Sequence, residues 1–434
     1  MKQIPIVSKV VLALLFIILG VNNAYALPSF ARQTGLSCTM CHAGGQFPAL
    51  TEMGRQFKMT GYTMGGGETK MPLPLAGMIQ VSFSSTKSAD NAVLSTNGVN
   101  ENNKINFPQM SLFYGGTIYN KVGAFAQFTF DSSDLPQGAS TLRIKSDNTD
   151  IRYADSTTLF DKSLIYGVSL NNNPTVQDPY SSTPAWGFPW ATPGIQASIV
   201  SPAMEGLGSA VIGLTAYGLH DNTLYAEIGG YQDANGRQDV LKNLAIKSSA
   251  SNLNGDAPYA RIALQHASGD NFMMIGAYGM KMDMNQNATG AKDQYTDFAI
   301  DGEYQYITEK HAFTFLVRNT WEKQTLDVTA PGNSPTLSAF SGMAGYVYDN
   351  KYGVNVGYQA VSTTGYVAAG LQDANGNAYT TEPNSNNWII EAEYTPIPQV
   401  RLVAQEDIFT QLNGQLGSAA SNNNTFTLGA WLMF

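Results

Sequence analysis

The chain has 434 residues, of which 43% are apolar and only 13% charged, with 33 acidic against 24 basic side chains and a net charge of −9. That balance argues against a nucleic-acid partner, which needs a basic face. So few charges, together with 42 glycines, 22 tyrosines and 20 phenylalanines, suit many strands with one polar and one apolar face rather than an ordinary soluble enzyme.

In chain order, Lys2 and Lys9 precede an apolar run from Val10 to Val21, then Ala24 and Ala26 form a small-x-small site. This predicts a secretory signal peptide over residues 1–26, because the run is well short of the ~20 residues a spanning helix needs. Losing Lys2 and Lys9 takes the exported chain to about −11. No other segment has ~20 consecutive apolar residues, so helical membrane spans are not expected.

The only two cysteines lie in GLSCTMCHAGGQF, with a histidine directly after the second. Cys-x-x-Cys-His is the attachment pattern for c-type haem: two thiols add to the vinyl groups and the adjacent imidazole ligates the iron. Cys38 and Cys41 are therefore predicted to carry one covalent haem c and His42 to be its proximal ligand. A disulfide or a redox dithiol is the alternative for an exported pair of cysteines. Zinc is poorly supported, since His220, His266 and His311 lie far off in sequence. For the sixth position, Met53, Met59, Met64 and Met71 follow closely, and Met59 or Met64 is preferred; a methionine thioether raises the potential, whereas a distant histidine or a water is the other choice.

Residues 27–74 form this segment and its linker, which ends in GGGETKMPLP. A unit of that size buries too little apolar surface to fold alone, so it is expected to dock in, or plug, the periplasmic mouth of a barrel built by the rest of the chain.

From residue 75 to the end, short alternating segments are separated by turn chemistry. Strands are placed near 75–85, 105–118, 121–131, 148–157, 162–171, 208–218, 222–232, 256–267, 270–282, 294–307, 311–323, 336–349, 351–362, 387–395, 398–410 and 424–434. Tight turns at Tyr119 and Asn120 and at FDK, HDN, SGD, TEK, DNK and PIPQ alternate strictly with much longer connections. The fold class predicted is all-β, a transmembrane antiparallel β-barrel of about 16 strands over 75–434, with a short N-terminal c-type haem segment. Residues 194–200 also alternate, but a separate strand there breaks the even count, so they are assigned to the fifth-to-sixth connection or to an extension of strand six. A soluble β-solenoid or sandwich is the rival, although no fixed repeat supports it.

The same alternation places Phe298, Ile300, Tyr304, Tyr306, Trp388, Ile390 and Tyr394 toward lipid. It puts Asp297, Asp301, Glu303, Glu391, Glu393, Arg261, Arg318 and Arg401 in a polar lumen, a reading preferred to a dedicated metal site. Residues 171–194, rich in proline and containing Trp186, Phe188 and Trp190, are expected to be an extracellular loop, with entry into the lumen as the alternative.

Residues 27–64 resemble the N-terminal haem segment of the fused monohaem cytochrome and porin family of outer-membrane iron oxidases. Cys38, Cys41 and His42 match its haem-binding positions; Arg32, Gln33, Thr34 and Gly35 before them, and Pro48, Gly54, Arg55 and Phe57 after, match the flanking pattern. Arg32 and Arg55 are then candidates for the haem propionates, or else only solubilise the segment. The resemblance implies an outer-membrane, Fe(II)-oxidising cytochrome that passes electrons from extracellular Fe(II) to a periplasmic carrier such as a soluble cytochrome. The alternatives are another extracellular donor or acceptor, and a diffusion porin whose haem segment is a plug or sensor.

Overall fold

The computed structural model describes residues 29–45, 49–64, 74–87, 102–130, 144–191, 193, 196–234, 252–373 and 376–434. The expected signal peptide and most of the linker lie outside these residues. The strands are β1 (Leu75–Thr86), β2 (Ile105–Tyr119), β3 (Val122–Phe130), β4 (Ile144–Leu159), β5 (Lys162–Asn171), β6 (Val211–His220), β7 (Leu224–Asp233), β8 (Ala257–Ser268) and β9 (Asn271–Met284). They continue as β10 (Asp293–Ile307), β11 (His311–Leu326), β12 (Thr336–Tyr348), β13 (Tyr352–Thr364), β14 (Ser385–Ile397), β15 (Val400–Leu412), β16 (Gln415–Leu416) and β17 (Thr425–Met433). The two-residue β16 only extends a hairpin on β15. The other sixteen pair antiparallel with their chain neighbours, and β17 pairs with β1 to close the ring.

Closure follows from the solvent. Hydrocarbon offers no partner to a backbone N–H, and each unpaired group there costs several kcal/mol, so an open edge is not sustainable. The last seam is sealed from Met78↔Met433 to Thr86↔Thr425. Beyond its end, Gly77 donates to the Phe434 carbonyl at 2.7 Å and accepts from the Phe434 N–H at 3.0 Å. The Phe434 ring packs over Gly77, 2.5 Å from where a Cβ would stand, so a larger residue there would displace the ring.

Period-two alternation sets the two faces. Leu214, Ile228, Ile262, Leu264 and Ile275 project outward, with Ile228 69% exposed, while Thr215, Glu227, Arg261 and Gln265 on the same strands are buried inside. Tyr119, Phe160, Tyr348, Tyr352, Tyr394 and Phe434 are exposed around the short-turn end, the position of the aromatic girdle of outer-membrane barrels. Of the side chains assigned to the two faces from sequence, Phe298, Ile300, Tyr304, Trp388, Ile390 and Tyr394 are exposed, Asp297, Asp301, Glu303, Glu391, Glu393, Arg261 and Arg401 are buried, and Tyr306 and Arg318 are half-buried.

Among the described residues, two pieces of chain occupy the lumen. Residues 29–45 and 49–64 sit at the short-turn end: Asn222 of the β6–β7 turn donates to Glu52, Gly61 packs on Ala154, and Gly44 packs on Val347. The long β5–β6 connection also turns inward rather than outward, a correction to the extracellular placement of residues 171–194. Its Asp178 carboxylate pairs with Arg261, whose Nη1 and Nη2 bond both oxygens of Asp301 at 2.9 and 2.8 Å. Ser182 donates to Asp301 at 2.5 Å, Gln177 to Glu227 at 2.8 Å, and Tyr180 to Gln265 at 2.6 Å. Residues 196–200 belong to this connection and form no strand. Their alternation has another cause, since Ala197 packs on Phe409 and Leu412 while Ile199 also meets Leu337 and Val361.

Breaking a buried ion pair by removing one partner costs about 3–5 kcal/mol, because the other charge stays buried. Arg261→Met, which strands Asp178 and Asp301, is expected to lower stability by that amount and to free the β5–β6 connection. Urea unfolding followed by tryptophan fluorescence checks the first expectation, and a rise in single-channel conductance in a planar bilayer the second.

Candidate functional site

The site is assembled from three short helices. In α1 (Ser29–Thr34), Thr34 Oγ1 donates to the Phe30 carbonyl and takes the Leu36 N–H, and Gly35, at φ +73°, ends the helix by donating to the Ala31 carbonyl. Gln33 ties the helix down through Tyr62 O at 2.8 Å and Thr117 Oγ1 at 3.2 Å. The single turn α2 (Cys38–Cys41) puts the two thiols three residues apart, hence on one side, and His42 donates its N–H to Cys38 O at 2.8 Å before the chain extends.

Helix α3 (Glu52–Met59) is capped by Thr51, whose side chain accepts from Gly54 N at 3.3 Å. Thr51 also ties α3 to α2, its N–H going to Cys41 O at 2.9 Å and its hydroxyl to Met40 O at 2.5 Å. The two helices touch through Gly54, where a Cβ would fall 2.2 Å from the Cys41 carbonyl oxygen. Phe57 meets Phe30 edge-on at 4.9 Å and Tyr62 at 6.0 Å, so the residues flanking the cysteines are the joints of the segment.

Cys38, Cys41 and His42 face one cavity of about 400 Å³, within the range of cofactor sites. Phe30 and Phe57 line it from the segment, Trp431 from the barrel wall, and Trp186 and Trp190 from the inserted connection. Lys58 closes one side: its Nζ donates to Val176 O at 2.7 Å and Asp178 O at 2.6 Å, and lies 4.2 Å from the centre of the Trp186 ring. Burial lowers the Lys58 ammonium to about 7.

Burial favours the neutral forms of the residues predicted from sequence. Burial lowers the His42 imidazole to about 4, so at neutral pH it carries the lone pair that a metal ligand requires. Burial also raises both thiols above their ordinary value, which keeps them from being the exposed, low-pKa pair of a dithiol catalyst. Two free thiols and a neutral imidazole on one wall of an aromatic cavity form a donor set that fits a covalently attached haem.

Four of the candidates predicted from sequence lie elsewhere. Met59 is 1% exposed and packs with Tyr180, Tyr217, Tyr225 and Met274. At 3.6 residues per turn it is two positions past Phe57, on the far side of α3 from the Gly54, Phe57 and Lys58 face that lines the cavity. Met64 is half exposed, at φ 55°, in the turn that leaves α3. Arg55 is 1% exposed and committed to Leu50 O at 2.6 Å, Gln305 at 3.1 Å, Glu303 at 3.7 Å and the Phe272 face at 3.3 Å. Arg32 donates to the Leu75 carbonyl, at the foot of β1. None of the four lines the cavity that Cys38, Cys41 and His42 face. Residue 71 lies outside the described residues. No three His, Cys, Asp or Glu side chains gather as a metal site among the described residues.

The chain matches no family model and no curated protein. Among solved structures it is similar to OmpT of Vibrio cholerae, an outer-membrane protein, with TM-score 0.44 and 10% identity over 83% of this chain and 97% of that one. The anion-selective porin from Comamonas acidovorans gives 0.42 and 10% over 83% and 98%, and the outer-membrane channel DcaP of Acinetobacter baumannii gives 0.41 and 10% over 85% and 100%. Likenesses at this level carry no argument about what this chain binds or conducts.

Gly54→Ala forces a methyl group into the Cys41 carbonyl, and backbone offers no easy retreat. The helix contact is expected to open at a cost of about 1–3 kcal/mol or more. Limited proteolysis of the folded protein should then cut within residues 29–64 at least tenfold faster, while the barrel strands stay protected.

Proposed function

We propose that the chain is an outer-membrane electron-transfer protein that holds one covalent haem c on residues 29–64, oxidises extracellular Fe(II) and passes the electron to a periplasmic carrier such as a soluble cytochrome. The observation that carries this reading is the convergence of Cys38, Cys41 and His42 on one aromatic cavity inside a closed barrel. Cys38 and Cys41 would provide the thioether links and His42 the axial nitrogen. When bound, the haem supplies reversible one-electron chemistry.

The protein's own residues do the rest. Phe30, Phe57, Trp186 and Trp190 give the cavity apolar walls, and the burial of His42 favours its neutral form. The contacts of residues 29–64 with the short turns support a periplasmic position, because short turns face the periplasm in this class of barrel. Fe(II) as donor is supported by the resemblance of residues 27–64 to the iron-oxidising fusions. Each Fe(II) would give up one electron and leave as Fe(III), with no proton or covalent intermediate needed.

The second reading is a diffusion porin in which the same segment is a plug or sensor. What favours it is the architecture: sixteen strands around a polar lumen are wide enough for an aqueous channel. What opposes it is the pair of chain segments pinned across that lumen by Arg152, Arg261 and Lys58.

An anaerobic titration with Fe(II) of full-length protein, made with intact haem-ligation machinery, distinguishes the readings. The sharp bands of reduced c-type haem are expected to appear on adding Fe(II) and to be lost in His42→Phe, whose barrel should still migrate as a heat-modifiable band. A colourless protein with a large, stable bilayer conductance would establish the porin reading instead. Reduction by another donor with no response to Fe(II) would keep the conduit and change its substrate.

A further inference from the structure

The lumen faces of the two strands at the closing seam change character along their length. On β1 the inward residues are Met78, Gln80, Ser82, Ser84 and Thr86, and on β17 they are Thr425, Thr427, Gly429, Trp431 and Met433. Away from the short-turn end both faces are small or polar, as a wet lumen requires. At that end two thioethers stand directly opposite each other in register, Met78↔Met433, and both line the cavity that holds Cys38, Cys41 and His42.

The cavity restricts the choice of a second axial ligand. His42 is the single imidazole among the described residues that line it. Lys58 also lines it, but its amine is held by two carbonyl oxygens and over the Trp186 ring. Met59 and Met64 are excluded by their positions on the far side of α3 and beyond it. The two methionines of the seam differ in order: Met78 is 4% exposed and sits inside β1 between two neighbours, whereas Met433 is partly exposed and next to the last residue. Both lie on paired strands, and the more deeply buried Met78 side chain is the better fixed of the two.

Accepting the haem reading above, we infer that Met78 provides the sixth ligand to the iron through its thioether sulfur, with His42 as the fifth, and that Met433 packs beside it. A thioether is a neutral, soft donor that needs no deprotonation and stabilises the reduced iron, which raises the potential into the range suited to a weak donor. A methionine on an otherwise polar strand face was also a signal available in the sequence, since LAGMIQVSFSST alternates and its inward residues after Met78 are all hydrophilic.

The test uses full-length, haem-loaded protein in detergent and reads the oxidised spectrum and the midpoint potential. A methionine–iron(III) pair gives a weak near-infrared charge-transfer band. Met78→Leu, which nearly conserves volume, is expected to retain the haem-to-protein ratio and the heat-modifiable barrel, lose that band, lower the potential and bind added imidazole at least tenfold more tightly. Met433→Leu is expected to keep the band. Met78→His should restore a six-coordinate spectrum without it and give a lower potential than the original protein. The assignment is overturned if the band survives Met78→Leu, if it disappears in Met433→Leu, or if coloured wild-type protein never has it. A colourless wild-type protein would overturn the attachment reading itself, and is distinguished by its lack of any haem absorption.

Discussion

Every feature of this molecule depends on one requirement, that each backbone amide in hydrocarbon find a protein partner. For strands only a ring satisfies it, and here the ring closes when β17 joins β1. Closure creates an interior that lipid cannot reach. That interior is what allows a few dozen residues, too few to bury a core of their own, to be held in a defined arrangement. The barrel thus supplies to residues 29–64 the second surface that a small domain lacks.

Charges do the holding. Arg55, Arg152 and Arg261 come from the segment and from two strands, and each reaches carbonyls or carboxylates on another element. Removing such charges from water is costly, and their mutual attraction repays it only when the geometry is satisfied. The network is therefore better understood as a positioning device than as a source of stability. It fixes where the β5–β6 connection lies, and so brings Trp186 and Trp190 to the cavity that the cysteines face.

The sequence revealed the barrel more fully than the site. Each of the ring strands lies within four residues of its expected ends, because period-two alternation and turn residues are local signals. The grouping of Cys38, Cys41 and His42 was legible for the same reason, since they occupy one turn and its exit and line one cavity. The path of the β5–β6 connection was not. It is decided by contacts such as Ser182 with Asp301, 119 residues apart, and no periodicity encodes these. Met59 lies off the cavity, a position that its helical phase relative to Gly54 and Phe57 already indicated. Arg55 looked like an anion binder because an arginine beside a motif suggests an external partner, whereas its partners are Gln305 and Glu303 across the lumen.

The contacts of the segment also impose an order of assembly. Gly44 rests on Val347, and Leu50 accepts from Gln305, so residues synthesised first meet neighbours made more than two hundred positions later. Until the ring exists these residues have nothing to lean on, and such distant contacts form slowly. Once they are seated, Cys38 is buried and Cys41 half-buried beside aromatic side chains of the inserted connection. A bulky reagent therefore reaches the two thiols more readily before this segment docks than after.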